Sequence, residues 1–151
     1  DLPFKARVPM VGADRPEVTW QERFLALHNV ERTQRGLPAY AGDDRLVQVA
    51  QLRVNDMVEE QYFGHDDPNH DPGKYWEILQ GAGLTYAWAG ENLAMNNFAA
   101  PLDEAWRGLM ASPTHRANIL DTTFTAVGGA AQIRPEGIFV FALVYAAGLT
   151  G

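Results

Sequence analysis

The run Val140-Phe141-Ala142-Leu143-Val144 constrains this chain more than any other stretch: five consecutive apolar residues, rich in strand formers, leave no polar face. Successive side chains of a strand point to opposite faces, so such a strand is buried on both sides and needs a layer packed against each. Pro135-Glu136-Gly137 just ahead of it is a turn signal, and Ala126 to Ile133 before that turn reads as another strand. The pairing expected is an antiparallel hairpin, with strands over 126–133 and 138–146.

The covering layers are written upstream. Thr19 is a plausible N-cap, and Trp20, Phe24, Leu27 and Val30 recur at helical spacing until Gly36 and Pro38 stop the helix. Asp43 or Asp44 can cap a second helix that carries Leu46, Val49, Ala50, Val54 and Met57 on one face and runs towards Tyr62. The stretch 64–73 is a loop by its Asp, Asn, Pro and Gly content. Shorter helices are predicted over Lys74 to Gln80 and Pro101 to Met110. Helices before and between strands imply an α/β fold in which helical layers cover a sheet. Residues 1–16 hold three prolines and no lasting periodicity, so they read as an extended arm, with one domain over 17–151.

Composition narrows the partners. A formal charge of −7 argues against nucleic acid or anionic lipid as a non-specific partner. The one local exception to weigh is a basic patch of Arg32, Arg35 and Arg45. The chain has no cysteine, which excludes disulfides, thiolate metal sites and a cysteine nucleophile. No apolar stretch approaches the roughly 18–20 residues of a membrane span. The first residue is Asp1 rather than Met, and the expectation is a processed chain whose signal peptide has been removed.

Chemistry concentrates in three segments. Gly90-Glu91-Asn92 is flanked by Phe63-Gly64-His65 and by Ser112-Pro113-Thr114-His115-Arg116-Ala117-Asn118. Two imidazoles and a carboxylate, far apart in sequence, are what a fold-assembled cleft needs for metal binding or acid/base chemistry. Pro113 disfavours helix at Ser112, so the expected local structure is a turn that presents His115, with Asn118 orienting it or bonding a neighbouring loop. Glu91 leads into Leu93-Ala94, and a carboxylate entering an apolar segment needs hydrogen-bond or charge partners. It is expected at a strand or loop junction, buried, with a histidine or backbone N–H beside it.

These segments, in this order, with Leu27-His28-Asn29-Val30-Glu31-Arg32 before them, resemble the CAP superfamily (SCP/TAPS). That group contains the cysteine-rich secretory proteins, antigen 5 and the plant pathogenesis-related 1 proteins, and the likeness is to its short cysteine-free bacterial branch. The resemblance implies a three-layer α-β-α sandwich with a small, mostly antiparallel central sheet and an open cleft. It implies that His65, Glu91 and His115 face that cleft and bind a divalent metal such as zinc, with Asn118 nearby. It also implies export, and an extracellular ligand that is a protein, the cell wall or a lipid. A monomer is expected. The family's cleft has a second glutamate, which this chain lacks: the matching position falls near Leu109, and Glu104 is about 140° away round the helix.

Weaker patterns carry less. Asp66, Asp67, Asn69 and Asp71 crowd one loop, but on a calcium-loop template Pro72 stands where the glycine belongs and Ile78 where the bidentate acid belongs. Tyr75, Trp76, Tyr86 and Trp88 at such spacing read as core before they read as a ligand wall. Ser112 is the only serine and lacks a nucleophile elbow, and no glycine-rich phosphate loop is present. The favoured function is a binding module. A metal-assisted hydrolase using the same cleft and a lipid or sterol carrier are the alternatives, and no residue is assigned a catalytic role.

Overall fold

The computed structural model describes residues 19–66 and 74–151. Helix α1, Trp20–Gln34, opens on a capping box: Thr19 Oγ1 accepts from the Glu22 N–H, and Glu22 returns the bond to the Thr19 N–H. It closes at Gly36, whose positive φ of 71° suits glycine. A short strand β1, Ala41–Gly42, leads into α2, Asp44–Glu59, capped by Asp43. Then follow α3 (Lys74–Gly81), β2 (Trp88–Asn96), α4 (Pro101–Ala111), α5 (Pro113–Ile119), β3 (Ala126–Ile133) and β4 (Phe139–Ala147).

The sheet has the order β1-β3-β4-β2. The β3–β4 hairpin and the β2–β4 pair are antiparallel, and the brief β1–β3 pair is parallel. Burial on β4 alternates between two layers, as its apolar run requires. Phe141, Leu143 and Tyr145 pack with Trp20 and Phe24 of α1 and with Trp106 of α4. Val140, Ala142 and Val144 pack with Leu46 and Val49 of α2 and with Leu79 of α3. This is the expected helix–sheet–helix sandwich.

Two adjacent glycines let the helices sit this close. A Cβ on Gly128 would stand 2.3 Å from backbone atoms of Leu46 and Val47, and one on Gly129 would meet Leu143 and Phe24 at 2.7 and 2.8 Å. One glycine accommodates α2 and the other α1, because successive strand positions face opposite layers.

Two expectations need correction. His115 lies on helix α5 rather than in a turn. Ser112 is extended, as a residue before proline should be, but Pro113 then begins the helix, a position where its fixed φ and missing N–H cost nothing. Glu91 sits inside β2 rather than at a junction, since β2 pairs with β4 along its full length, Trp88 to Asn96. Arg32, Arg35 and Arg45 do not form the basic patch weighed against the chain's acidic balance. Arg32 is buried and donates to the carbonyls of Pro38, Ile119 and Asp121, while its guanidinium lies 3.7 Å from the centre of the Tyr40 ring. Arg35 and Arg45 pair with Glu31 and Asp43.

Tyr75 and Tyr86 pack against the α2 side of the core, whereas Trp76 and Trp88 are exposed, against the core reading. The 1–16 arm and the loop residues Asp67, Asn69, Asp71 and Pro72 lie outside the described residues. Among the described residues, no helix is long and apolar enough to cross a membrane.

Candidate functional site

Glu91 points from β2 towards α2, and its side chain is fully buried against Arg53. The contact is bidentate: Arg53 Nε donates to Oε2 at 2.7 Å and Nη2 to Oε1 at 3.1 Å. Burial works against the Arg53 charge, but the carboxylate of Glu91 and the hydroxyl of Tyr62 outweigh it and raise the guanidinium pKa. Arg53 also donates to the Tyr62 hydroxyl at 2.8 Å and to the Gly64 carbonyl at 2.7 Å, and Tyr62 in turn donates to Asp56. One guanidinium thus ties α2, β2 and the loop that carries His65.

His65 completes the arrangement. Its Nδ1 lies 2.9 Å from Glu91 Oε1. A carboxylate only accepts, so Nδ1 carries a hydrogen, and in the neutral ring the lone pair is on Nε2. The imidazole is 51% exposed, and among the described residues Nε2 has no hydrogen-bond partner. His115 approaches from the other side. Its Nδ1 is 2.8 Å from Ser112 Oγ, and its Nε2 also has no partner among the described residues. Partial burial lowers the His115 pKa, and repulsion from His65, when that ring is protonated, lowers it further.

A buried polar chain holds the two sides together. His28, on α1, donates from Nδ1 to the Phe24 carbonyl and accepts at Nε2 from the Tyr145 hydroxyl, both at 2.7 Å. Asn92 then donates to Tyr145 Oη at 3.2 Å and to the His115 carbonyl at 2.9 Å. Asn118 donates to Asn92 Oδ1 at 2.9 Å and to the Glu91 carbonyl at 3.3 Å. Asn118 therefore braces β2 against α5 and does not orient the His115 ring. Every buried polar side-chain atom among the described residues has a partner.

Burial pushes the His28 imidazole down to about 4, with the Phe24 carbonyl opposing the shift and the Arg32 charge adding to it. An unfolded histidine takes its proton near pH 6.5. Between pH 6.5 and 4 the unfolded chain binds more protons at this site, so folding weakens as pH falls through that window and levels below it. His28 should contribute about 3 kcal/mol of that loss. Urea unfolding at pH 7.5 and pH 4 should show the wild type losing about this much more than His28→Gln.

The structure thus joins His65 directly to Glu91, Asn118 to the Glu91 backbone, and His115 to the same strand through Asn92. The Glu91 side chain is fully buried, with Oε2 accepting from Arg53 and Oε1 from Arg53 and His65. Among the described residues, no group of three His, Cys, Asp or Glu side chains is arranged to hold a metal ion. Glu91 stands behind the His65 ring, a position from which a carboxylate fixes an imidazole's orientation. Arg53 is the functional residue that sequence reading passes over. Its signal was present: position 53 falls on the α2 stripe marked by Leu46, Val49, Ala50 and Met57, where a charge demands a buried partner.

A sequence profile of the cysteine-rich secretory protein (CAP) family matches residues 25–145. The uncharacterized protein YkwD of Bacillus subtilis (strain 168) is 31% identical over 109 residues, covering 72% of this chain and 41% of YkwD. The uncharacterized membrane protein YlbC of the same organism is 30% identical over 112 residues, covering 74% of this chain and 31% of YlbC. The chain therefore spans less than half the length of either relative. An extracellular protein containing an SCP domain from Bacillus anthracis str. Ames superposes with a TM-score of 0.70 at 27% identity, covering 84% of this chain and 40% of that one.

Proposed function

Because the chain belongs to the cysteine-rich secretory protein (CAP) family, we propose that it is an extracellular binding domain whose cleft takes a divalent metal such as zinc. His65 and His115 are the ligands, each through Nε2, and Glu91 positions His65 instead of ligating. One observation carries this reading. Both Nδ1 atoms are engaged by protein, at 2.9 Å to Glu91 and 2.8 Å to Ser112, which leaves Nε2 as the ring nitrogen without a protein partner among the described residues in each; the metal-bound form has the Ser112 hydroxyl accepting from His115 Nδ1. Two protein nitrogens leave coordination positions for donor atoms of a bound ligand.

Hydrolysis is the weaker reading of the same cleft. A metal-assisted hydrolase needs a general base, and Glu91 is locked against Arg53. No other described carboxylate hydrogen-bonds to either histidine.

Titration calorimetry with zinc tests the proposal. His65→Ala and His115→Ala should each weaken binding by at least about tenfold. Binding should also weaken as pH falls from about 7.5 to 5.5, because protons compete for the ligand nitrogens and histidine ordinarily titrates near pH 6.5. The lowered pKa of His115 keeps that ring available further into the acid range. Equal heats from all three proteins would overturn the metal site.

A further inference from the structure

Beside His115 a groove of about 430 Å³ runs between α4 and Phe63. Its lining includes Leu93, Ala94, Met95 and Asn96, four consecutive residues of β2. A pocket over one face of a sheet meets every second residue, whereas a pocket along a strand's edge meets them all. The packing agrees. Leu93 belongs to the α2-side core and Ala94 packs on the α4 side, yet both border this groove. The groove therefore follows the edge of the sheet.

Among the described residues, that edge is free of strand partners. β2 is terminal in the order β1-β3-β4-β2, with β4 as its only strand neighbour among the described residues. An edge strand presents a row of N–H and C=O groups to whatever lies beside it. At the histidine end the Asn118 amide already bonds the Glu91 carbonyl. At the other end Asn96 pins the following turn, donating to the Pro101 carbonyl and accepting from the Phe98 N–H. Between these ends the groove has apolar walls, with Met95 42% and Phe98 57% exposed. Its charged member is Glu104 of α4.

Gly108 supplies an independent observation. It stands inside α4, where glycine costs about 0.5–1 kcal/mol relative to alanine. A Cβ there would meet nothing within 4 Å, so packing does not require glycine. Its bare backbone does keep the groove wide, since Gly108 is part of the wall.

We propose that this groove binds an extended polypeptide segment of a partner protein, added as a strand along the free edge of β2. An apolar side chain of the segment fills the pocket, and a neighbouring lysine or arginine faces Glu104. Main-chain hydrogen bonds supply affinity, and the pocket supplies selectivity for alternate side chains. This deepens the binding-domain reading by naming the class of partner, and it does not depend on the metal.

The test uses a fluorescein-labelled octapeptide that alternates valine with lysine around a central phenylalanine, followed by anisotropy in EDTA. Saturable binding is expected. N-methylation of alternate amides, which keeps every side chain but removes the strand-facing donors, should weaken it at least tenfold. Gly108→Leu should weaken it at least tenfold while folding at least as well as wild type, because leucine is the better helix former. Amide exchange at 93–96 should slow when the peptide is bound. Equal binding of the methylated peptide, full binding by Gly108→Leu, or no saturable binding at about 1 mM peptide would overturn the proposal. So would binding of decanoate without binding of the peptide, which would assign the groove to lipid. Zinc calorimetry on Gly108→Leu should match wild type, so a failed groove and a failed metal site give different results.

Discussion

Arg53→Met is expected to cost about 3–5 kcal/mol of folding stability, a large share of what a domain this size has. The loss comes less from the missing ion pair than from what remains. Glu91 would keep a fully buried carboxylate with its guanidinium gone and only His65 beside it. The loop carrying His65 would also lose its anchor at the Gly64 carbonyl. A desolvated charge without its partner is the costly state, whereas replacing both members with apolar residues of similar volume is often near neutral. Arg53→Met with Glu91→Leu should therefore recover most of the stability while leaving His65 unpositioned. Urea midpoints of the single and double variants decide this. If the double variant is no more stable than Arg53→Met, the pair is not what holds this region.

Gly128→Ala is the second large effect, at about 3 kcal/mol or more. The added methyl would overlap the α2 backbone at Leu46 and Val47, and backbone cannot rotate away as a side-chain tip can. Only movement of α2 off the sheet relieves the clash, and that opens the core formed by Leu46, Val49 and Val144. Gly108→Ala, by contrast, adds the same methyl to open space and should stabilise α4 slightly. Thermal unfolding of the two variants should move in opposite directions.

Much of this architecture is legible in the chain because double burial leaves a visible trace. The apolar run of β4, the turn at Pro135-Glu136-Gly137 and the Thr19 cap each state a local requirement that the fold meets. The missed features share one physical cause. Arg32 and Arg53 carry charges that sequence counts as surface, yet each is buried with several acceptors supplied by distant segments. Such partners exist only after the layers assemble. The position of β2 at the sheet edge is likewise a tertiary fact, since residue pattern does not fix strand order. Pro113 illustrates a local ambiguity: the same ring ends helix for the residue before it and begins helix for those after it.

The division of labour between Glu91 and the two histidines is the central claim, and long-range proton–nitrogen NMR of the imidazoles tests it most directly. Near pH 7.5, His65 should show hydrogen on Nδ1 and a lone pair on Nε2, the tautomer fixed by Glu91. Zinc should then shift the Nε2 resonances of both His65 and His115 and leave the Arg53 Nε resonance, bonded to Glu91, unchanged. A His65 hydrogen on Nε2, or zinc that displaces Arg53 from the carboxylate, would contradict it and return Glu91 to the role of ligand.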